Sequence, residues 1–173
     1  MRNKIYPEVE KIEMGTVISL QNKKSVLIKP IPPYNFNPTV FKPSHYPDPL
    51  KVYEPGKYWF VLRLDNKVFG IKLVSKGTVS KPKVQIIIFS KTKSSKNELK
   101  DIVDEVSFRF EFQRDISGFF KKFKNDKVLL PFLKRWYGMH GSCAQDLYGL
   151  SMIGIFLQNT VIKRSVQMTR VML

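Results

Sequence analysis

The sequence predicts an α+β protein. An N-terminal antiparallel β-sheet with flanking helices comes first, followed by the opening helices of an incomplete α-helical domain. Three observations carry this. Up to about residue 90 the chain is a series of short runs rich in β-branched and aromatic residues, separated by turn residues. From residue 95 the apolar period changes from two to that of a helix. Beyond residue 128 every long segment is helical in pattern, and glycine marks the breaks. The expected division is 1–125 for the sheet and its helices and 126–173 for the partial helical domain.

In order, the strand candidates are Thr16–Leu20, Ser25–Ile31, Lys57–Leu64, Lys67–Val74 and Lys83–Ser90. The third and fourth are joined through Asp65-Asn66, a pair that tolerates left-handed backbone and so favours a tight hairpin. Connections this short cannot hold helical crossovers, and a meander follows. Between the second and third runs lies the proline-rich stretch from Pro30 to Pro49. Its prolines remove donors and fix φ, which predicts an extended surface loop. Its rings, Tyr34, Phe36, Phe41 and Tyr46, either pin that loop to the sheet or line a nucleic-acid path.

A helix is predicted after Asn97 as N-cap, with Leu99, Ile102, Val103 and Val106 at helical spacing. Asp115–Asp126 places Ile116, Phe119, Phe120 and Phe123 on one face, read as core, with Lys121, Lys122 and Lys124 elsewhere. "LLPFLKRWYGMHG" gives a helix ended by Gly138 and Gly141. Ala144–Gln158 is apolar almost all round, as in a helix meant to be surrounded. A last basic helix follows, capped by Asn159 or Thr160.

Charge and composition bound the partners. The net charge is +16 over 173 residues, an excess that suits a polyanion such as nucleic acid or an anionic membrane face. From residue 121 onward there are 9 basic and 2 acidic residues. No apolar stretch approaches the ~20 residues a bilayer demands. Cys143 is the single cysteine, which excludes an internal disulfide. With His45 and His140 the only histidines, no Cys/His metal cluster is expected, and no cofactor motif of the phosphate-loop or dinucleotide type is present. No signal-peptide pattern opens the chain, so a cytoplasmic, nucleoid-associated setting is expected.

Three segments then carry a resemblance. "RFEFQRDISGFF" (Arg109–Phe120), "WYGMHG" (Trp136–Gly141) and "DLYGLSMIGIFLQNTVIKRSVQM" (Asp146–Met168) resemble, in this order, the helix-hairpin-helix DNA glycosylase superfamily, in its 8-oxoguanine and alkyladenine branches. The resemblance implies a sheet domain of the TATA-binding-protein type, base excision repair as the setting, and duplex DNA with a damaged or mismatched base as partner. It implies DNA contact by Gln158, Asn159, Thr160, Lys163 and Arg164. Asn159 would be the wedge that fills the hole left by an extruded base, and Arg164 the side chain that reads the orphaned partner. Such a wedge suits an amide, which hydrogen-bonds base edges without repelling phosphate. An ordinary helix cap is the competing role for Asn159. His140 stands where the family usually has arginine, which departs from a local phosphate or structural contact. In the family the backbone-gripping hairpin and the catalytic Asp lie beyond the wedge. Only 14 residues follow Asn159 here, and neither Asp126 nor Asp146 matches the catalytic carboxylate. The expectation is a glycosylase truncated before its catalytic half, with no catalytic residue in this chain and a second polypeptide as one source of the missing part. The alternative is a non-catalytic nucleic-acid-binding or interaction module.

Overall fold

A computed structural model describes residues 20–41, 51–143, 147–158 and 160–172. Five antiparallel strands form one sheet: β1 (Asn22–Ile28), β2 (Val52–Glu54), β3 (Lys57–Leu64), β4 (Lys67–Ser75) and β5 (Val84–Ser90), in the spatial order β1-β5-β4-β3-β2. The centre is the β3–β4 hairpin. Its two-residue turn has φ of 46° at Asp65 and 60° at Asn66, both left-handed, as a hairpin matching the strand twist requires. Leu64 then faces Lys67, and Phe60 faces Ile71.

Side chains alternate across the strands, and β3, β4 and β5 each bury one face. Tyr58, Phe60 and Leu62 of β3, Phe69, Ile71 and Leu73 of β4, and Val84, Ile86 and Ile88 of β5 all point to one face. Helix α2 (Lys96–Arg109) covers that face with Ile102 and Val106. Its N-cap is Ser95, whose Oγ accepts from the Glu98 N–H at 3.1 Å, two residues before the expected Asn97. Phe110 and Phe112, just past α2, are fully buried with it.

The segment after Pro30 corrects the expectation of an extended surface loop. It folds into α1 (Phe36–Val40) and drives Tyr34 (2% exposed) and Phe36 (5%) into the core. The Tyr34 hydroxyl donates to the Phe110 carbonyl at 3.2 Å, and burial holds its pKa well above the ordinary phenol value. Phe41 stacks on Tyr53 with ring centroids 4.5 Å apart. Of the loop aromatics, these three pin the segment to the sheet, while Tyr46 lies outside the described residues. So do residues 16–19 of the expected first strand.

The helical end begins with α3 (Ser117–Phe123) and α4 (Leu130–Arg135). The phenylalanine stripe of α3 is not core: no residue of α3 is buried and Phe119 is 52% exposed. The rings instead pack on each other, with Phe119–Phe123 at 5.0 Å, and on Tyr137, with Phe120–Tyr137 at 4.8 Å. The Asp126 carboxylate accepts the Val128 and Leu129 N–H groups at 2.9 Å each, a capping role at the entry to α4. Helices α5 (Leu147–Leu157) and α6 (Ile162–Met172) follow. Among the described residues no helix is long and apolar enough to cross a membrane.

Candidate nucleic-acid interface

The segment between α5 and α6 is the part of the molecule that the sequence singles out. α5 is apolar but buries only Phe156. Leu147 (81% exposed), Tyr148, Ile155 and Leu157 face solvent. Among the described residues the expectation of a helix surrounded on all sides therefore fails, and its apolar face is exposed.

The turn itself is tightly fixed. Ser165, fully buried in α6, reaches back so that its Oγ lies 2.6 Å from the Phe156 carbonyl oxygen and 2.6 Å from Thr160 Oγ1. Thr160 Oγ1 is in turn 2.5 Å from the same carbonyl. Three oxygens form a triangle with two hydroxyl protons between them. One hydroxyl donates to the carbonyl, and the other donates to the carbonyl or to its neighbour. Each arrangement satisfies a carbonyl that the end of α5 would otherwise leave orphaned. The Val161 carbonyl accepts from the Arg164 N–H at 2.9 Å and starts α6.

The proposed DNA-contacting residues are distributed around this lock. Gln158 is exposed in the turn, its N–H donating to the Ile155 carbonyl at 3.1 Å. Lys163 and Arg164 are exposed in the first turn of α6, where no acidic residue offsets them. The Thr160 hydroxyl is spent inward on the triangle, which leaves its backbone for any outside contact. Asn159 lies outside the described residues. Ser165 was missed in the sequence. A serine five residues past a threonine, inside a basic helix, gives no periodic signal, and only its zero exposure shows the role.

The "WYGMHG" segment is a latch between the helical end and the sheet domain. Gly138 adopts φ +75°, and its carbonyl accepts from the Asn35 N–H at 2.6 Å. His140 is buried, its ring 4.8 Å from that of Tyr34. Its Nε2 lies 3.0 Å from the Pro33 carbonyl oxygen, an atom that only accepts, so Nε2 carries the proton. Nδ1 makes no hydrogen bond and faces Glu111 Oε2 at 3.7 Å. The His140 N–H donates to Thr39 Oγ1 at 3.0 Å, and Ser142 Oγ donates to the Thr39 carbonyl at 2.6 Å. His140 thus serves structure rather than a phosphate.

Outside this end, an open groove of about 1010 Å³ runs between α2 and α5, lined by Phe108, Arg109, Cys143, Leu147 and Leu150 among others. No set of three or more His, Cys, Asp or Glu among the described residues is placed to hold a metal ion. At the start of α3, hydrogen bonds from the Ser117 backbone and side chain hold the Asp115 carboxyl below its ordinary pKa.

No family model matches the sequence, and no curated protein matches it. A solved structure does: the 3-methyladenine DNA-glycosylase from Archaeoglobus fulgidus aligns with a TM-score of 0.63 at 14% identity. The alignment covers 82% of this chain and 47% of that one, so this chain spans about half the length of the solved structure it matches. At this identity the likeness is one of fold, with which the α+β chain, its five-stranded antiparallel sheet and flanking helices, is compatible.

Proposed function

We propose that this chain supplies the sheet domain and leading helices of a DNA glycosylase of the helix-hairpin-helix type, and that it engages duplex DNA at a damaged or mismatched base. One observation supports this most: in a fold like that of a DNA glycosylase, the α5–α6 turn is locked from inside by Ser165 and Thr160, with Gln158, Lys163 and Arg164 exposed around it. A rigid turn rimmed by cations is what an inserted wedge needs. Base extrusion costs a few kcal/mol of pairing and stacking, and a side chain offsets that cost only if it does not itself have to be ordered on entry. In this reading Asn159 fills the vacated space, Arg164 reads the orphaned base through its forked donors, and Lys163 with the first N–H groups of α6 holds a phosphate.

Cleavage of the glycosidic bond needs a carboxylate or amine beside the extruded sugar. Asp126 is occupied in capping α4, and no other described group is assigned to that step. The chain's part is then recognition and opening, with catalysis contributed from outside the described residues, a second polypeptide being one source.

The test is fluorescence anisotropy with matched, mismatched and abasic-site duplexes over a salt series. Preference for the defective sites is expected, with affinity falling steeply as salt rises. Asn159→Ala and Arg164→Gln should each reduce that preference by about 1–3 kcal/mol. Equal binding of all duplexes by the unaltered chain would refute the reading. The high positive charge favours one other reading, a purely electrostatic nucleic-acid module. It predicts that Asn159→Ala changes nothing.

A further inference from the structure

The sheet has a second face, and the function proposed above does not use it. Opposite the core, β3 presents Lys57, Trp59, Val61 and Arg63, and β4 presents Val68, Gly70, Lys72 and Val74. In register beside them stand Ile87 and Phe89 of β5 and Lys23 and Leu27 of β1. Among the described residues no helix covers this side, and Trp59, Val61, Lys72, Ile87 and Phe89 are half-buried there. Leu20 reaches onto it, its Cδ1 seated over the dent at Gly70 next to Phe89.

The chemistry of the face is specific. Lys72 Nζ lies 4.7 Å above the Trp59 ring, and Lys23 Nζ lies 5.9 Å above Phe89. Glu54 is an acid on this side, and it is paired with Lys57 at 3.1 Å. Lys23, Arg63 and Lys72 have no acidic partner among the described residues. The two rings sit two strands and one row apart, about 12 Å from the standard strand and residue spacings.

We propose that this outer face is a stacking platform for single-stranded DNA. Two bases lie on Trp59 and Phe89, while Lys72, Lys23 and Arg63 take the phosphates between and beside them. A lysine parked over a ring holds that ring in reserve. Its flexible stem swings the ammonium to a phosphate as the base arrives, so no charge is stranded. Every base has a π-face, so the platform is tolerant of sequence. A second copy of the chain is a poor occupant, since a two-fold contact would bring this basic face, with Lys23, Arg63 and Lys72, against an identical basic face. The choice of DNA over RNA rests on the function proposed above; the stacking does not.

The experiment uses fluorescein-labelled oligo-dT and anisotropy with the full chain. Trp59→Leu should weaken oligo-dT binding by about fivefold or more, the loss of one stacked base. Trp59→Phe, which keeps a π-face on an equally folded chain, should stay within about twofold of the parent, since only stacking area is reduced. Arg164→Gln should leave oligo-dT binding intact while lowering preference for mismatched duplex, so the two sites fail separately. Equal binding by Trp59→Leu and Trp59→Phe would overturn the platform. So would a dimer that Trp59→Leu dissolves, or cross-links from Trp59 to residues 1–19 of its own chain that persist under saturating oligo-dT, whereas tighter binding of oligo-rU than of oligo-dT would overturn the choice of DNA.

Discussion

The oxygen triangle at the α5–α6 turn makes a non-additive prediction. Ser165→Ala removes one hydroxyl, yet Thr160 still donates to the Phe156 carbonyl at 2.5 Å. The loss is one net hydrogen bond, about 1 kcal/mol. Thr160→Val keeps the side-chain shape and leaves Ser165 to donate at 2.6 Å, at a similar cost. Together the two changes leave the carbonyl with no side-chain donor, next to a site that is 0% exposed at Ser165. The desolvation penalty of that carbonyl, about 1–3 kcal/mol, then appears in full. The double variant should therefore lose about 1 kcal/mol or more beyond the sum of the single losses. Amide hydrogen exchange in α6 is the suitable assay, because the terminal helices open below the global transition. The double variant should also lose mismatch preference without any change in the salt slope, since no cation has been removed. Losses that add to within about 0.5 kcal/mol would show that the triangle does not act as a unit and would refute the argument.

Three further perturbations test the surrounding architecture. Gly138→Ala forces a left-handed φ on a residue with a Cβ, and that Cβ would stand 2.9 Å from Val79 Cγ1 and 3.1 Å from the Asn35 nitrogen; a loss of about 2–4 kcal/mol in urea unfolding is expected, and an unchanged midpoint would contradict it. His140→Ala leaves the Pro33 carbonyl without its donor and empties the space beside Tyr34, so stability should fall by about 2–4 kcal/mol, whereas a phosphate-contacting role would lower DNA affinity and spare stability. The Lys67 ammonium, 2.7 Å away, holds the Glu98 carboxyl below its ordinary value of 4.5. A lowered folded pKa stabilises above the unfolded value and is lost as pH falls through the folded one, so Glu98→Gln should cost stability at neutral pH and converge with the parent in acid below pH 4.5. Urea melts across that range check this, and a constant difference at every pH would contradict it.

What the sequence revealed follows its periodicity. Lys57–Leu64 reads as a strand and is one, because alternate residues meet a core on one side and a half-open face on the other. The turn at Asp65-Asn66 was legible because few residues accept positive φ. The stretch after Pro30 was not, since proline density marks a chain without ladder donors and says nothing of where Tyr34 and Phe36 go. Their burial depends on partners as distant as Phe110. The α3 stripe misled in the opposite direction. A helical period states that one face is apolar, but burial also needs an opposing surface, and the rings that Phe119 packs on are Phe120 and Phe123 of its own helix.

The candidate site divides along the same line. Its exposed members, Gln158, Lys163 and Arg164, are residue types whose chemistry can be read from the sequence. The residue that holds them in place is Ser165, whose contribution is geometric and needs the backbone to fold back across nine positions to Phe156. The same holds for His140. Standing where a resemblance suggests arginine, it looks like a missing phosphate ligand until its ring is found buried between Tyr34 and Pro33. A cationic guanidinium in that place would need an anion. Glu111 is the one at hand, and it already accepts from Arg114 at 2.6 Å and the Gly141 N–H at 3.0 Å. The imidazole fills the position with one donated bond, from Nε2 to the Pro33 carbonyl, while Glu111 orders the turn beside it through Arg114 and the Gly141 N–H.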